Sequence, residues 1–223
     1  MLKRIGRELL HHIPFTAAGA VTGIIAMVII TQLHVRSSVS EALFYTFHPL
    51  HILFSAIVTT ALYRKHKKSP FWLTIPICYF GPIIVGTLSD AIIPYLEGSV
   101  ININIGFELP FIETAKMPFI GVPEWILVNG AAFLGIAIGY FKPNTKFPHM
   151  WHILLSTWAS LLYFTSFGTA EWLPLLPILF VLLFLSVWIP CCFSDIVFPL
   201  LWADKEYDHE HDHEHDHEHD HPL

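Results

Sequence analysis

Two pairs of histidines in this sequence have the same spacing and the same neighbours. His48 and His51 lie in a stretch that reads His-x-x-His-Ile-Leu-x-Ser, and His149 and His152 lie in a second stretch that reads the same. On a helix, positions i, i+3 and i+7 share a face, so each copy would present two imidazoles and a hydroxyl on one stripe. Each pair therefore predicts a two-imidazole clamp for a transition metal, with an interhelical hydrogen bond as the simpler alternative.

Two aspartates repeat in the same way. Asp90 and Asp195 each follow a serine and precede a proline by four residues, and they are the only carboxylates in the interior of the predicted apolar spans, since Glu124 is the first residue of its span. An unpaired charge there costs several kcal/mol at least, so each would need a cation held jointly with a histidine pair. Pro94 and Pro199 lack the N–H that would bond the aspartate carbonyl, which frees a further oxygen. The alternatives are a protonated carboxyl that hydrogen-bonds a neighbouring helix and a simple proline kink.

The two copies differ next to the aspartates. Cys191 and Cys192 stand where the first copy has Gly86 and Thr87. Thiolate ligands would make the second set softer and favour Zn²⁺ or another late transition metal. Buried cysteines that merely fill space are the alternative.

The C-terminal segment alternates acids and histidines from Asp208 to His221. Its seven imidazoles are predicted metal ligands: His209, His211, His213, His215, His217, His219 and His221. Such a segment has nothing apolar to bury and should be disordered. It resembles the His/Asp/Glu-rich tails and loops of transition-metal transporters and metallochaperones, which implies collection of Zn²⁺, Ni²⁺, Co²⁺ or Cu²⁺. A pH-responsive or solubilising tail is the alternative.

The elements that must position these residues are membrane helices. Of 223 residues, 54% are hydrophobic and only 13% charged, which excludes a water-soluble enzyme. Spans of about 20 apolar residues cross a hydrocarbon core of about 30 Å. Six stretches qualify: 13–33, 42–63, 71–96, 124–141, 149–168 and 172–202.

The basic residues give the orientation. Ten Lys and Arg residues fall before span 1, between spans 2 and 3, between spans 4 and 5, and after span 6, against only Arg36 and Lys116 on the other side. Basic residues resist translocation, so both termini should lie in the cytoplasm, with the chain in the cytoplasmic (inner) membrane. Residues 97–123 then form an external connection that lies on the membrane or folds partly back into it.

The repeat predicts an all-α fold of two inverted halves. Residues 1–96 form the first three-helix repeat, 124–202 the second, and 203–223 the tail; three spans per unit force the second copy to enter from the opposite side. Spans 1 and 4 match weakly, through Gly19 and Gly23 against Gly130 and Gly135. An old duplication that now only packs helices is the alternative.

These features favour a metal transporter that works by alternating access and passes the ion from one His/Asp set to the other. The order His51-Ile-Leu-x-Ser55, Asp90, later histidine pair, Asp195 is similar to bacterial membrane-bound metal-dependent hydrolases, which implies a resident metal acting on a lipid-like substrate. Ligands that converge on one dinuclear centre would favour hydrolysis, and two sites at different depths would favour transport. A third possibility is a metal-sensing accessory subunit.

The expected partners follow from the same features. They are the lipid bilayer and metal ions (Zn²⁺ first, then Ni²⁺ or Co²⁺), with a second copy or other transporter subunits as further candidates. No nucleic-acid partner is expected.

Overall fold

A computed structural model describes residues 2–66, 70–114, 121–142 and 146–192. The chain is almost entirely helical in these ranges. Its helices are α1 (Leu2–Gln32), α2 (Ser37–His66), α3 (Phe71–Thr87), α4 (Ile93–Val100), α5 (Glu124–Phe141), α6 (Lys146–Phe167) and α7 (Trp172–Cys192). A π-helical turn, Leu88–Ile92, joins α3 to α4, so these segments form one continuous rod.

Five of the six helical rods in the described ranges are long and apolar enough to cross a membrane. The exception is α6, which the sequence predicts as span 5. Its buried face carries Ser156, Thr157, Ser160 and Thr165, and these polar side chains lower its hydropathy. Because other helices surround that face, α6 does not need to be apolar all round.

Large apolar side chains dominate the outer surface of the bundle. Trp72, Leu73, Phe80, Ile84 and Phe133 are all more than half exposed. A soluble protein rarely exposes so much contiguous apolar surface, whereas lipid-facing helices do. This surface agrees with helices that lie in a bilayer.

The centre of the bundle is the pair α2 and α6, which pack along each other. Around it, α5 packs on α2, and α1 packs on α6. The rod of α3 and α4 contacts α2 and α5, while α7 contacts α1 and α6. Most buried polar side chains lie on the two central helices, away from the outer surface of the bundle.

The connection after α4 folds back onto the end of the bundle. Strand β1 (Asn104–Ile105) pairs antiparallel with β2 (Gly168–Thr169), which follows α6 directly. Further along, Phe111 packs against the buried cluster that contains Ile52 and Val128. The described part of 97–123 therefore packs on the helical bundle.

Candidate metal centre

The predicted residues meet around Asp90, which is fully buried. The Nδ1 atoms of His48 and His51 lie 2.9 and 2.6 Å from its Oδ2. Both imidazoles come from one face of α2 and are themselves buried. The i, i+3 spacing therefore does what the sequence predicts: it aims two rings at one partner.

The other carboxylate oxygen faces two hydroxyls. Ser89 Oγ and Ser156 Oγ each donate to Asp90 Oδ1 at 2.8 Å. With two imidazole N–H groups on Oδ2, the carboxylate accepts four hydrogen bonds, which is about the capacity of its lone pairs. Since Ser156 belongs to α6, this network joins the two predicted repeats.

Proline explains the local backbone around Asp90. The N–H of Ile93 bonds to Leu88 O, five residues back, so it is not available to Ser89 O. The next residue, Pro94, has no N–H to replace it. The carbonyl of Ser89 is therefore left to accept from Ser160 Oγ of α6, which donates to it at 3.0 Å.

The second nitrogen of His51 faces the other half of the chain. Its Nε2 lies 4.0 Å from Cys191 Sγ of α7. The His51 ring is stacked on that of His152, with centroids 5.7 Å apart. One ligand atom from each of these three buried residues lies within 4.8 Å of the other two, a grouping that could hold a metal ion.

The distances separate metal ligands from hydrogen-bond partners. Around tetrahedral zinc, a nitrogen and a sulfur ligand lie ~3.5 Å apart, and a nitrogen and an oxygen ligand ~3.3 Å apart. The distance of 4.0 Å from His51 Nε2 to Cys191 Sγ is slightly longer than this, so a small movement of the two side chains would allow both to bind one ion. The 2.6 Å from His51 Nδ1 to Asp90 is too short for two ligands of one ion and fits a direct hydrogen bond. The ligand atoms of His48, His51 and Asp90 also lie within 4.8 Å of one another. Their short contacts to Asp90 are those of a hydrogen-bonded group.

Close packing of α3 holds His51 in place. A Cβ at Gly86 would collide with Ile52 and would lie 3.5 Å from His51 Cε1. A larger residue at this position would require the end of the Ile52 side chain to move. The ring of His48 is held separately, stacked on Phe44 with centroids 5.7 Å apart.

The predicted site residues divide into three groups. The structure brings together His48, His51, Asp90, His152 and Cys191. It places His149 beside His152, with ring centroids 5.2 Å apart, but His149 is in neither candidate metal group of the described residues. Asp195, the side chain of Cys192 and the seven tail histidines (His209, His211, His213, His215, His217, His219 and His221) lie outside the described residues.

Some polar residues at the centre are missing from the sequence prediction. Ser160 lies outside the repeated motif, so no pattern marks it. Glu124 is fully buried, and neither carboxyl oxygen has a hydrogen-bond partner among the described residues. It is the first residue of α5, and no repeated motif marks it.

No family model matches the chain, and neither does any curated protein or solved structure. Its function must therefore be argued from the site itself.

Proposed function

We propose that the chain is an integral membrane protein of two inverted repeats that transports a divalent transition metal through one site shared by both halves. The observation that carries this proposal is the convergence of His51 of the first repeat with His152 and Cys191 of the second. Transporters with inverted repeats typically bind their cargo at the repeat interface, near mid-membrane.

Glycine packing between α1 and α6 supports the repeat. A Cβ at Gly19 would lie 2.8 Å from Thr157 Oγ1. One turn later, a Cβ at Gly23 would lie 3.6 Å from Leu161 Cδ1. The two glycines form a G-x-x-x-G motif, which lets membrane helices approach closely.

The same arrangement recurs between α5 and α2. A Cβ at Gly135 would lie 2.7 Å from Ala56 Cβ, and one at Gly139 would lie 2.9 Å from Thr60 Cβ. The contacted positions on α2 precede those on α6 by 101 residues, which is also the offset between the histidine pairs. Two independent pairs of helices thus pack at equivalent positions, as a duplicated fold would require.

This packing favours a different alignment of the first spans. In that alignment Gly135 is the equivalent of Gly19, and Gly139 is the equivalent of Gly23. The sequence comparison had paired them with Gly130 and Gly135. A Cβ at Gly130 would meet nothing within 4 Å, so Gly130 makes no close helix contact.

The depth of the site favours transport over lipid hydrolysis. His51 is 14 residues from Ser37 and 15 from His66, the two ends of α2. At ~1.5 Å per residue this is over 20 Å from either end, whereas half the hydrocarbon core is only ~15 Å thick. Lipid headgroups and ester linkages lie at the membrane surface, far from such a site.

The ligand chemistry indicates the cargo. Two imidazoles and a thiolate form a borderline-soft set that suits Zn²⁺, with Co²⁺ and Ni²⁺ as weaker candidates. Asp90 would not contact the ion itself. Its hydrogen bond to Nδ1 of His51 would orient that ring and leave Nε2 as the nitrogen that binds the metal. When the ion leaves, the same histidines are groups that can take up protons.

One shared site also changes the expected mechanism. The sequence suggests a transfer from an outer His/Asp set to an inner one. A single site between α2, α6 and α7 instead needs only the two repeats to rock about it, so that access alternates while the ligands stay together.

The test is zinc flux into sealed vesicles that contain the full-length protein and a trapped zinc indicator. Wild type should transport, Cys191→Ser should not, and Cys78→Ser should match wild type because Cys78 is a buried cysteine outside the candidate groups. Transport by Cys191→Ser and His152→Ala at the wild-type rate would refute the proposed site.

Hydrolysis remains the second candidate for two reasons. The described ligands converge around His51 instead of forming two sites at different depths, which by the criterion given above counts toward hydrolysis, and the number of ligands fits it as well. Three protein ligands with an open fourth position are typical of catalytic zinc. His48, held by Asp90 and with no hydrogen-bond partner for Nε2 among the described residues, would then be the proton acceptor. Zinc that binds with the expected ligands, gives no flux and supports lipid hydrolysis would decide for this alternative.

A further inference from the structure

A crevice lies between the rod of α3 and α4 and the helix α7. Its volume is about 400 Å³, within the range of about 300–1,000 Å³ that is typical of ligand pockets. One wall belongs to the first half of the chain and the other to the second half. The walls are formed by Val85, Leu88, Ile93 and Glu97 on the rod and by Leu185 and Ile189 on α7.

The crevice is apolar and opens to the outside of the bundle. Apart from Glu97 and Ser186, every side chain that lines it is a hydrocarbon. Leu185 and Ile189 are also exposed on the outer surface, so the crevice can be entered from the side. From Val85 to Glu97 the lining follows the rod for 12 residues, or ~18 Å. A long apolar crevice of this kind suits a hydrocarbon chain.

Glu97 is the acidic group among the residues that line the crevice. Its Oε2 atom is buried and has no hydrogen-bond partner among the described residues. Ser186 does not supply one, because its hydroxyl donates to Leu183 O at 3.1 Å. A buried carboxylate oxygen without a donor is costly, so it indicates a donor or a cation that a ligand brings.

The length of the rod gives the depth of Glu97 in a bilayer. Phe71–Val100 comprises 30 residues, or ~45 Å, whereas the hydrocarbon core is ~30 Å thick. A rod centred in the bilayer would extend ~7 Å beyond the core at each end, and Glu97 is only ~5 Å from the end at Val100. In the membrane location proposed above, Glu97 would therefore lie at the level of the lipid headgroups, and the crevice would run from there into the core.

We infer that the crevice binds a membrane phospholipid with a primary ammonium headgroup, of the phosphatidylethanolamine type. An acyl chain would lie along the apolar walls, and the ammonium would donate to Glu97. A primary ammonium has N–H groups that can form a charge-assisted hydrogen bond to a carboxylate. The quaternary choline headgroup has the charge but no N–H, and a glycerol headgroup leaves the lipid with a net negative charge. The three lipids therefore differ in the contact that Glu97 offers.

Native mass spectrometry of the full-length protein tests the inference, by titration in detergent with lipids that share the same acyl chains. Phosphatidylethanolamine should bind more tightly than phosphatidylcholine or phosphatidylglycerol. Glu97→Gln keeps a carbonyl acceptor and removes the charge, so the affinity for phosphatidylethanolamine should fall by about 5–10-fold and that for phosphatidylcholine much less. Glu171→Gln, an exposed glutamate before α7, should bind all three lipids as wild type does.

A second measurement uses the width of the crevice. Leu185→Trp should fill the place where it opens and reduce phosphatidylethanolamine binding, whereas Leu134→Trp, at an exposed leucine of α5, should not. Cys191→Ser should keep the wild-type lipid preference, so a failure of the central metal site would not alter this result. Equal affinity of wild type and folded Glu97→Gln for phosphatidylethanolamine would overturn the inference, and so would equal binding by the two tryptophan variants.

Discussion

The substitution Asp90→Asn tests whether Asp90 is itself a metal ligand or only orients the histidine ligands. Asparagine can keep the present hydrogen-bond pattern: its carbonyl oxygen would face His48 and His51, and its amide would face the hydroxyls of Ser89 and Ser156, which can rotate to accept. The fold should therefore survive. What changes is the charge on the acceptor of the two imidazole N–H groups.

The magnitude follows from the bond to His51, because His51 is the only proposed metal ligand that Asp90 contacts. A hydrogen bond to a charged group contributes about 1.5–3 kcal/mol and a neutral one about 0.5–1.5, so losing the charge costs about 1–1.5 kcal/mol. This corresponds to about 5–10-fold in metal affinity. Outer partners of metal-bound histidines typically contribute 10–100-fold, so the expected loss lies at the lower end of that range. Removing a direct ligand, as in Cys191→Ser, should cost far more.

Cobalt titration of the full-length protein measures the effect. Bound Co²⁺ gives a thiolate charge-transfer band, and the tail contains no cysteine, so the tail histidines do not contribute to it. The Asp90→Asn variant should show the wild-type band at higher Co²⁺ concentration. Wild-type affinity would mean that Asp90 has no influence on the metal, and complete loss of the band in a folded protein would mean that Asp90 is itself a ligand.

Three further predictions address packing, pH and the tail. Gly135→Ala should destabilise the protein by about 1–3 kcal/mol, because the new methyl group would meet Leu53 O and Ala56. Gly130→Ala should be neutral or slightly stabilising. Thermal unfolding of both variants checks this, and equal effects would remove the packing argument for the repeat. Burial raises the pKa of Glu108 in the folded protein, so the folded state holds more protons and its stability falls as the pH rises above the unfolded pKa of ~4.3. Melting temperatures between pH 4 and 8 should therefore fall less in Glu108→Gln than in wild type or Glu171→Gln, and an equal fall in all three would contradict the sign. Truncation after Asp204 should lower the number of Zn²⁺ ions bound but leave the cobalt–thiolate band intact. Loss of the band would mean that the central site depends on the tail and has been assigned to the wrong part of the chain.

The residues that could be predicted from the sequence are those fixed by local geometry. The histidine spacing places two rings on one face of α2 whatever surrounds that helix, and both rings do reach Asp90. Five helices long and apolar enough to cross a membrane were also predictable from their composition. The prediction was least suited to α6, because a helix enclosed by others can carry serines and threonines that lower its hydropathy.

Only part of the ligand grouping could be predicted. Each histidine pair was expected to bind its metal together with the aspartate of its own repeat, and His48, His51 and Asp90 do form one of the two candidate groups among the described residues. The other group, in which His51 faces His152 and Cys191, depends on helix packing between the halves. Neither the register of α2 against α6 nor the π-helical turn at Leu88–Ile92 has a pattern that can be recognised in one sequence.

The difference between Gly86 and Cys191 accounts for the thiol beside His51. These residues occupy equivalent positions in the two predicted repeats, four residues before each aspartate. At the first position an added Cβ would lie 3.5 Å from His51 Cε1 and would displace the end of the Ile52 side chain, so glycine keeps this side of His51 uncrowded. At the second position a side chain is present, and its sulfur lies 4.0 Å from the same histidine. The two copies therefore place different groups beside His51, a glycine on one side and a thiol on the other.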